Sequence, residues 1–314
     1  MANPIKPLSV PPDAVIALVA PASAAQPDRI ERGYAALQAL GFAPQLAARS
    51  FCRGPLYFAG TPAERLADFH AAFADSATSA VMALRGGYGS NYLLSGLDLS
   101  IVAAHPKPFF AYSDLTGVQL FLLDRLGLPT FHGPMLAADF YREDGVHLES
   151  FRAAIAGQPY TLGSAEGLRV LKRTQAQTSV TGTLYGGCLS ILVSLLGTPW
   201  EPATENKLLF LEDTGAKPYQ IDRMLWQLRA AGKLAGASGI VFGEMLNCAS
   251  PGADADLLDR AILSALDGLD IPIAIGLRSG HVSRQNVTLT LGVAAELTTD
   301  GEATLALLEP AVTK

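Results

Sequence analysis

The sequence predicts a mixed α/β protein with a mostly parallel first sheet, covered by helices on both faces, and a second, smaller α/β domain. Residues 14–132 alternate short apolar runs with segments of helical periodicity, which is typical of a parallel sheet covered by helices. The first apolar run is continuous, as expected for a strand buried on both faces. After about residue 157, β-branched residues and glycines replace the helical periodicity, so we place a domain boundary there.

The first domain, residues 1–157, contains five predicted strands and three long helical patterns. AVIALVA (14–20) is the first strand, and PDRIERGYAALQALG (27–41) is a helix that a glycine closes. Thr61 is a helix cap with Pro62 at the first helical position. The other segments are FAPQLA (42–47), a strand; TPAERLADFHAAFAD (61–75), the helix capped by Thr61; SAVMALRGGYGS (79–90), a strand that runs into a glycine-rich loop; KPFFAYSDLTGVQLFLLDRLG (107–127), a strand followed by a helix; and LPTFHG (128–133), a strand.

The second half is predicted to consist of a linker, residues 158–177, and an α/β domain with more antiparallel content, residues 178–314. We expect helices in three segments and strands in two, with short strands and turns over residues 271–308. The helical segments are GGCLSILVSLLG (186–197), PYQIDRMLWQLRAAG (218–232) and DADLLDRAILSALDG (254–268), and the strands are KLLFLED (207–213) and ASGIVFGE (237–244).

Composition disfavours several classes of partner. The net charge is −6 and only 17% of residues are charged, without a long basic run, so nucleic acid is not expected as a partner. No apolar stretch approaches the ~20 residues of a membrane-spanning helix. Three widely spaced cysteines favour a reducing compartment over a disulfide framework or a zinc site. The N-terminus resembles a signal peptide only loosely, because Asp13 and two prolines precede a short apolar run.

Ser113 stands where the buried run FFAY meets a helical segment. One interpretation is a helix N-cap, for which serine is a favoured residue. The other is a nucleophile on a strand-to-helix turn, where the carboxyl end of a strand presents the hydroxyl and the following backbone N–H groups face a developing oxyanion. The GxSxG signature of such a turn is absent, and the local pattern leaves both interpretations open.

The run RGGYGS, residues 85–90, is richer in glycine than an ordinary turn requires. It matches neither a dinucleotide-binding fingerprint nor a phosphate-binding P-loop. Glycines let the backbone approach a ligand and offer N–H groups to an anion, and an arginine fork suits a carboxylate. We therefore expect substrate contacts from Arg85, Gly86, Tyr88 and Gly89.

Two further residues complete a possible catalytic set. Glu212 ends an apolar strand, and His281 lies in the polar loop GLRSGHVSRQN. A carboxylate beside a histidine orients its ring and stabilises the imidazolium ion. Glu244, at the end of another strand, is a rival for this role. Because the serine and the other two residues fall in different domains, the sequence predicts an active site in an interdomain cleft.

The segments ALRGGYGSNYLL, AYSDLTG, FLED with PYQIDRML, and SGHVSRQN together resemble the LD-carboxypeptidase family of serine peptidases, which also contains the microcin C immunity peptidases. The resemblance covers nearly the whole chain. It implies a flavodoxin-like N-terminal domain and a C-terminal domain of swivelling type. It also implies a Ser113–His281–Glu212 triad, with an oxyanion hole formed by the backbone N–H groups of Asp114 and Gly87.

The function that the resemblance implies is cytoplasmic hydrolysis of the LD amide bond to the terminal D-alanine of murein tetrapeptides, during peptidoglycan recycling. It implies a homodimer, a small peptide substrate, and no metal or cofactor. Ala111, Cys188, Ala216 and Val282 depart from the residues common in the family, and the last three put specificity in doubt. The alternatives are a peptidase of the same fold that cleaves a peptidyl-nucleotide, and a binding protein without catalysis.

Overall fold

A computed structural model describes residues 5–174, 177–249 and 256–314. The chain forms two compact units. The first comprises Met1–Gln158, Arg284–Gly292 and Pro310–Lys314, and the second comprises Pro159–Ser283 and Val293–Glu309. Two late segments of the chain thus return to the first unit, although the sequence placed them in the C-terminal domain.

The strands and helices are numbered in chain order. The strands are β1 (Val15–Val19), β2 (Ala43–Leu46), β3 (Ala80–Ala83), β4 (Phe109–Ala111), β5 (Thr130–His132), β6 (Tyr160–Leu162), β7 (Arg169–Lys172), β8 (Ser179–Cys188), β9 (Lys207–Glu212), β10 (Gly239–Gly243), β11 (Ile273–Leu277), β12 (Leu289–Leu291), β13 (Ala294–Thr298) and β14 (Thr304–Leu307). The α-helices are α1 (Pro27–Ala39), α2 (Pro62–Ala74), α3 (Leu99–Ala104), α4 (Thr116–Leu126), α5 (Leu148–Ile155), α6 (Leu189–Ser194), α7 (Pro218–Ala230) and α8 (Leu257–Ala265).

The first unit is built on a six-stranded sheet with the order β12-β5-β4-β3-β1-β2. Strands β1 to β5 are parallel, as the βα alternation predicted, and β12 pairs antiparallel with β5 at the edge. The central strands are buried on both faces. Their carboxyl ends carry the loops that contain residues 85–90 and Ser113, so these two sequence motifs lie on neighbouring strands.

Helix α2 is fixed at both ends by side chains. The Thr61 hydroxyl accepts the Glu64 N–H, and the Glu64 carboxylate accepts the Thr61 N–H at 2.9 Å, which forms a capping box. At the other end the buried Lys107 ammonium donates to the carbonyl oxygens of Ala72, at 2.9 Å, and Asp75. The predicted cap at Thr61 is therefore present, and Lys107 satisfies carbonyls that the helix end leaves unpaired.

The second unit is built on an eight-stranded sheet with the order β6-β14-β13-β8-β9-β10-β11-β7. Strands β8 to β11 are parallel, and antiparallel strands flank them on both sides. Strands β6 and β7 lie within the segment 158–177 that the sequence predicted to be a linker. Together the two sheets confirm the predicted fold class, with a mostly parallel first sheet and more antiparallel pairing in the second.

Two predicted helices of the second half differ from the structure or extend beyond its described part. Helix α6 begins at Leu189, because Gly186 and Gly187 still belong to strand β8 and pair with β9. A Cβ at Gly186 would lie 2.1 Å from the Phe210 carbonyl oxygen, so only glycine fits there. Residues 254–255 of the predicted helix 254–268, and residues 175–176 of the predicted linker, lie outside the described residues.

In residues 5–174, 177–249 and 256–314, no helix combines the length and the apolar character that crossing a membrane requires.

Candidate active site

Ser113 occupies a sharp turn between a strand and a helix. Strand β4 ends at Ala111, and Ser113 opens a single 3₁₀ turn, Ser113–Leu115, that leads directly into α4. The serine has φ +64°, in the left-handed region that residues other than glycine rarely adopt. Such a backbone conformation costs of the order of 1–3 kcal/mol and is enriched at functional sites. The N-cap residues of this turn and of α4 are Tyr112 and Leu115, so Ser113 is not the helix cap that its residue type allowed.

The glycine-rich loop packs directly against Ser113. A Cβ added to Gly86 would lie 2.8 Å from the Ser113 Cβ, 2.9 Å from its Oγ and 3.2 Å from the Asp114 nitrogen. At Gly87, with φ +105°, a Cβ would lie 2.5 Å from the Ser23 hydroxyl. The close approach of the backbone to the serine explains why the loop needs glycine at both positions.

The hydrogen bonds of the loop show which of its N–H groups are available to a ligand. The Tyr88 N–H donates to the Ser23 hydroxyl at 3.0 Å, and the Gly89 N–H donates to the Asp114 carboxylate. In the described part of the chain, no protein group accepts the N–H of Gly87 or of Asp114. These are the two donors that the family resemblance assigned to an oxyanion hole, whereas the N–H groups of Tyr88 and Gly89 are already used.

The Asp114 side chain anchors the loop to the serine turn. Its carboxylate accepts the Ser90 N–H at 2.8 Å, and its carbonyl oxygen accepts the Ser90 hydroxyl at 2.6 Å. Burial raises the pKa of Asp114, whereas the hydrogen bonds from Ser90 and Gly89 and the charge of Arg65 oppose that rise. Residue 114 therefore has two separate functions, since its backbone N–H is unpaired while its side chain holds the neighbouring loop in place.

A buried arginine, Arg65, ties together three segments around the same loop. Its guanidinium donates to the carbonyl oxygens of Pro21 at 2.6 Å, Gly89 at 2.8 Å and Gly60 at 3.2 Å. It also lies 5.0 Å from the centre of the Phe58 ring. Burial lowers the pKa of this arginine, and the charge of Asp114 opposes the effect.

A buried polar cluster lies behind the serine turn. The Asp139 carboxylate accepts the Met135 N–H at 2.8 Å and the Tyr112 hydroxyl at 3.2 Å, and the Asn286 side chain also donates to it. Burial raises the pKa of Asp139 to about 6, against the opposing effect of these three hydrogen bonds. Asn286 belongs to the segment 284–292, so this cluster helps to fix a late part of the chain beside the residue that precedes Ser113.

The second unit holds the predicted carboxylate–histidine pair. Glu212 is the last residue of β9 and is fully buried, and His281 lies in the loop that follows β11. The Glu212 Oε2 atom lies 2.8 Å from Nδ1 of His281 and accepts the His281 backbone N–H at 3.1 Å. The contact through Nδ1 leaves the Nε2 atom on the other side of the ring, as in a serine hydrolase triad.

The rival carboxylate has a different partner. Glu244 accepts the Ser283 N–H at 2.9 Å, and Glu212 is the carboxylate that contacts the His281 ring. Gly243 packs against Glu212, where an added Cβ would lie 2.7 Å from the Glu212 Cβ. The structure thus pairs Glu212 with His281.

Cys188 lies next to this pair, since it faces Glu212 across the β8–β9 ladder. Burial and the charges of Glu212 and Asp213 raise the pKa of its thiol well above the usual value, so it is held as a neutral thiol at neutral pH. Its Sγ lies 3.3 Å from the Ser190 hydroxyl. Among the described residues, no group of three or more His, Cys, Asp or Glu side chains is arranged to hold a metal ion.

Comparison with known proteins assigns the chain to a family. The model of the LD-carboxypeptidase N-terminal domain matches residues 16–133, and the model of the LD-carboxypeptidase C-terminal domain matches residues 181–297. The chain belongs to the LD-carboxypeptidase family. It is therefore a hydrolase of this family of serine peptidases, and the resemblance found in the sequence is confirmed.

Relatives within the LD-carboxypeptidase family extend over most of the chain. The probable murein peptide carboxypeptidase of Bacillus subtilis is 35% identical over 94% of this chain and 92% of its own length. The murein tetrapeptide carboxypeptidase of Pseudomonas aeruginosa is 32% identical over 86% of this chain and 89% of its own length.

Solved structures show the same fold. The muramoyltetrapeptide carboxypeptidase of Oxalobacter formigenes superposes with a TM-score of 0.81 at 29% identity, over 96% of this chain and all of that chain. The microcin C7 self-immunity protein MccF superposes with a TM-score of 0.90 at 23% identity, over 99% of this chain and all of that chain. At that identity the second likeness concerns the fold alone.

Sequence reasoning missed three buried polar residues that form hydrogen bonds around the glycine-rich loop and the serine turn, namely Arg65, Asp139 and Asn286. For Arg65 a signal was present, because it shares a spacing of four residues with Phe69 and Phe73, and all three are buried on one face of α2. An arginine within an apolar stripe has to be hydrogen bonded inside the protein. For Asp139 and Asn286 the local sequence gave no comparable signal.

Proposed function

We propose that this chain is a serine carboxypeptidase that hydrolyses the LD amide bond to the terminal D-alanine of murein tetrapeptides. The observation that carries the proposal is the serine turn, in which a left-handed Ser113 lies beside the two unpaired N–H groups of Asp114 and Gly87. The names of the relatives in Bacillus subtilis and Pseudomonas aeruginosa support murein peptides as the substrate class.

In the proposed mechanism Ser113, His281 and Glu212 act as one triad. His281 takes the proton from the Ser113 hydroxyl as its oxygen attacks the scissile carbonyl carbon. The N–H groups of Asp114 and Gly87 stabilise the oxyanion, an arrangement worth roughly 10²–10³-fold in rate for each donor. Glu212 fixes the ring orientation through the 2.8 Å contact at Nδ1 and stabilises the imidazolium ion without taking up its proton.

The tetrahedral intermediate then collapses with cleavage of the C–N bond. The proton held by His281 passes to the amine nitrogen of the leaving D-alanine, and an ester forms on Ser113. Water, deprotonated by His281, hydrolyses this ester and restores the serine. A carboxypeptidase also has to bind the free carboxylate of its substrate, and we propose the Arg85 guanidinium for that contact, because the N–H groups of Tyr88 and Gly89 are already used within the protein.

The test is incubation of the protein with murein tetrapeptide, followed by mass spectrometry for the release of D-alanine. We expect release by the wild type and a loss of at least about 10³-fold in Ser113→Ala and His281→Ala. Circular dichroism establishes that the variants remain folded. Full activity in Ser113→Ala would exclude the triad, and a wild type inactive on every LD-peptide would exclude the proposed function.

A second candidate is cleavage of a peptidyl-nucleotide, and one observation favours it. Tyr57, Tyr88 and Tyr92 are each 40–51% exposed and lie with Phe58 in one cluster of aromatic rings, which can stack against a base. When the sequences are aligned, the microcin C7 self-immunity protein MccF of Escherichia coli is 26% identical over 87% of this chain. Hydrolysis of an aspartyl-adenylate analogue, without hydrolysis of tetrapeptide, would favour this candidate.

A fluorophosphonate probe tests the proposed nucleophile independently of the substrate, because only an activated Ser113 is expected to react. We also propose cytoplasmic action, which the three free cysteines support. A homodimer remains a proposal that multi-angle light scattering can test.

A further inference from the structure

A cavity of about 290 Å³ opens beside the glycine-rich loop in the first unit. Segments that follow β1, precede α2 and follow β3 form it, and its polar lining consists of Ser23, Gln26, Arg53, Tyr57 and Arg85. This volume is at the lower end of the range of ligand pockets, about 300–1,000 Å³. It is therefore large enough for an acidic amino-acid residue rather than for a carboxylate group alone.

The charge in this cavity is positive and uncompensated. Arg53 donates to the neutral Gln26 amide oxygen at 3.2 Å. Within the described part of the chain, the half-buried Arg85 has neither an ion pair nor a hydrogen bond, and no acidic residue lines the cavity. Both arginines line one concave site, and each guanidinium presents forked donors that match a carboxylate.

The cavity adjoins the serine through two consecutive residues. A Cβ at Gly86 would lie 2.9 Å from the Ser113 Oγ, and a Cβ at Gly87 would lie 3.3 Å from an Nη atom of Arg85. Neighbouring Cα atoms are about 3.8 Å apart, so the cavity and the nucleophile are close along this loop. Leu56 and Tyr57, both exposed, add apolar surface for the methylene groups of a bound residue.

We propose that Arg53 and Arg85 together form a subsite for a carboxylate carried by the substrate peptide. The inference rests on the proposed function for the identity of the peptide. A murein tetrapeptide whose diamino acid is lysine offers this chemistry from two sources, the carboxylate of its D-glutamyl residue and the carboxylate of its terminal D-alanine, and this is the tetrapeptide used in the test. Arg53, which the sequence did not single out, is the residue that distinguishes this subsite from the contacts already proposed for Arg85.

The experiment measures binding in the Ser113→Ala background, so that it does not depend on turnover. Three peptides are titrated calorimetrically: the tetrapeptide, its D-isoglutaminyl analogue and its C-terminal amide. We expect each of the two amides to bind about tenfold more weakly than the tetrapeptide, as for the loss of a charged hydrogen bond. Addition of Arg53→Gln is expected to abolish one of these two preferences for a carboxylate over its amide and to leave the other in place.

The matched control is Arg32→Gln, which removes the same charge from an exposed arginine of α1, beside Tyr141 and outside the cavity. It is expected to retain both preferences. Loss of a preference in Arg53→Gln alone supports the subsite and identifies its carboxylate. Unchanged preferences in Arg53→Gln, or equal losses in both variants, overturn it. Turnover assays on the wild type decide the proposed function separately, because binding and cleavage can fail independently.

Discussion

Replacement of the buried Asp139 by asparagine is expected to change the pH dependence of stability. The carboxyl group has a pKa of about 6 in the folded protein, against 3.8 in an exposed aspartate. Because the folded pKa is the higher one, the folded state binds the proton more tightly. The stability that protonation contributes is complete below pH 3.8 and is lost as the pH rises through 6.

The magnitude follows from the two pKa values. One pKa unit corresponds to about 1.36 kcal/mol, so the wild type loses about 2 to 3 kcal/mol of unfolding free energy from this group between about pH 4 and pH 7.5. An asparagine side chain at this position does not titrate. Its amide oxygen can accept the Met135 N–H at the Oδ2 position, and its amide nitrogen, at the Oδ1 position, can donate to the Tyr112 hydroxyl oxygen. The stability of Asp139→Asn relative to the wild type is therefore expected to increase by about 2 to 3 kcal/mol over that range.

Other charged and titratable groups around the cluster do not cancel this difference. Arg142 stabilises the carboxylate, and its effect is already part of the raised pKa. His132 lies across the Tyr112 ring, with the ring centres 5.6 Å apart, and both variants contain it. The difference in unfolding free energy between the variant and the wild type at each pH therefore measures the contribution of Asp139 alone.

The assay is urea unfolding at pH 4.5, 6 and 7.5, followed by circular dichroism. Asp267→Asn, at an exposed position, corrects for the general effect of removing one negative charge. A stability difference between Asp139→Asn and the wild type that stays constant within about 0.5 kcal/mol across the three pH values would refute the reasoning.

Three further substitutions test the packing around the site. Gly86→Ala is expected to lower kcat/KM by about 10²-fold, because its Cβ would lie 2.8 Å from the Ser113 Cβ. The control is Gly163→Ala, whose Cβ would have no neighbour closer than 3.7 Å and which should leave tetrapeptide hydrolysis unchanged. Arg65→Met is expected to lower both the unfolding free energy, by about 3 kcal/mol in urea titrations, and kcat/KM, because three loop carbonyls lose their donor. A loss of unfolding free energy below about 1 kcal/mol would contradict this. Lys107→Met is expected to cost about 2 to 3 kcal/mol in the same titrations with kcat/KM intact, and a selective loss of activity would count against a purely structural lysine.

The sequence predicted most of the first sheet, because its elements follow local rules. Continuous apolar runs became the buried strands β1, β3 and β4, and Thr61 with Pro62 began α2 as expected. The failures have a common physical origin in long-range pairing. Strand β12 alternates apolar and polar residues like any short strand, and nothing local indicates that its partner is β5, about 160 residues earlier in the chain.

The candidate site shows the same division between local and distant causes. The residue types of Ser113, Glu212 and His281 and their positions at strand ends were readable from the sequence. The left-handed φ of Ser113 was not, since serine has no intrinsic preference for that region and the surrounding contacts determine it. Likewise, the choice of Glu212 over Glu244 as the partner of His281 depends on the course of the loop after β11.

The contacts around Ser113 explain how its unfavourable backbone conformation is maintained. The Asp114 carboxylate binds two N–H groups of the glycine-rich loop, and its carbonyl oxygen binds the Ser90 hydroxyl. Arg65 holds the same loop through the Gly89 carbonyl oxygen. Among the described residues, these bonds use the N–H groups of residues 89 and 90, but they leave those of Gly87 and Asp114 unpaired. The network that stabilises the strained serine therefore also fixes two free donors beside it, which is the arrangement that oxyanion stabilisation requires, since donors oriented before the reaction cost no reorganisation during it.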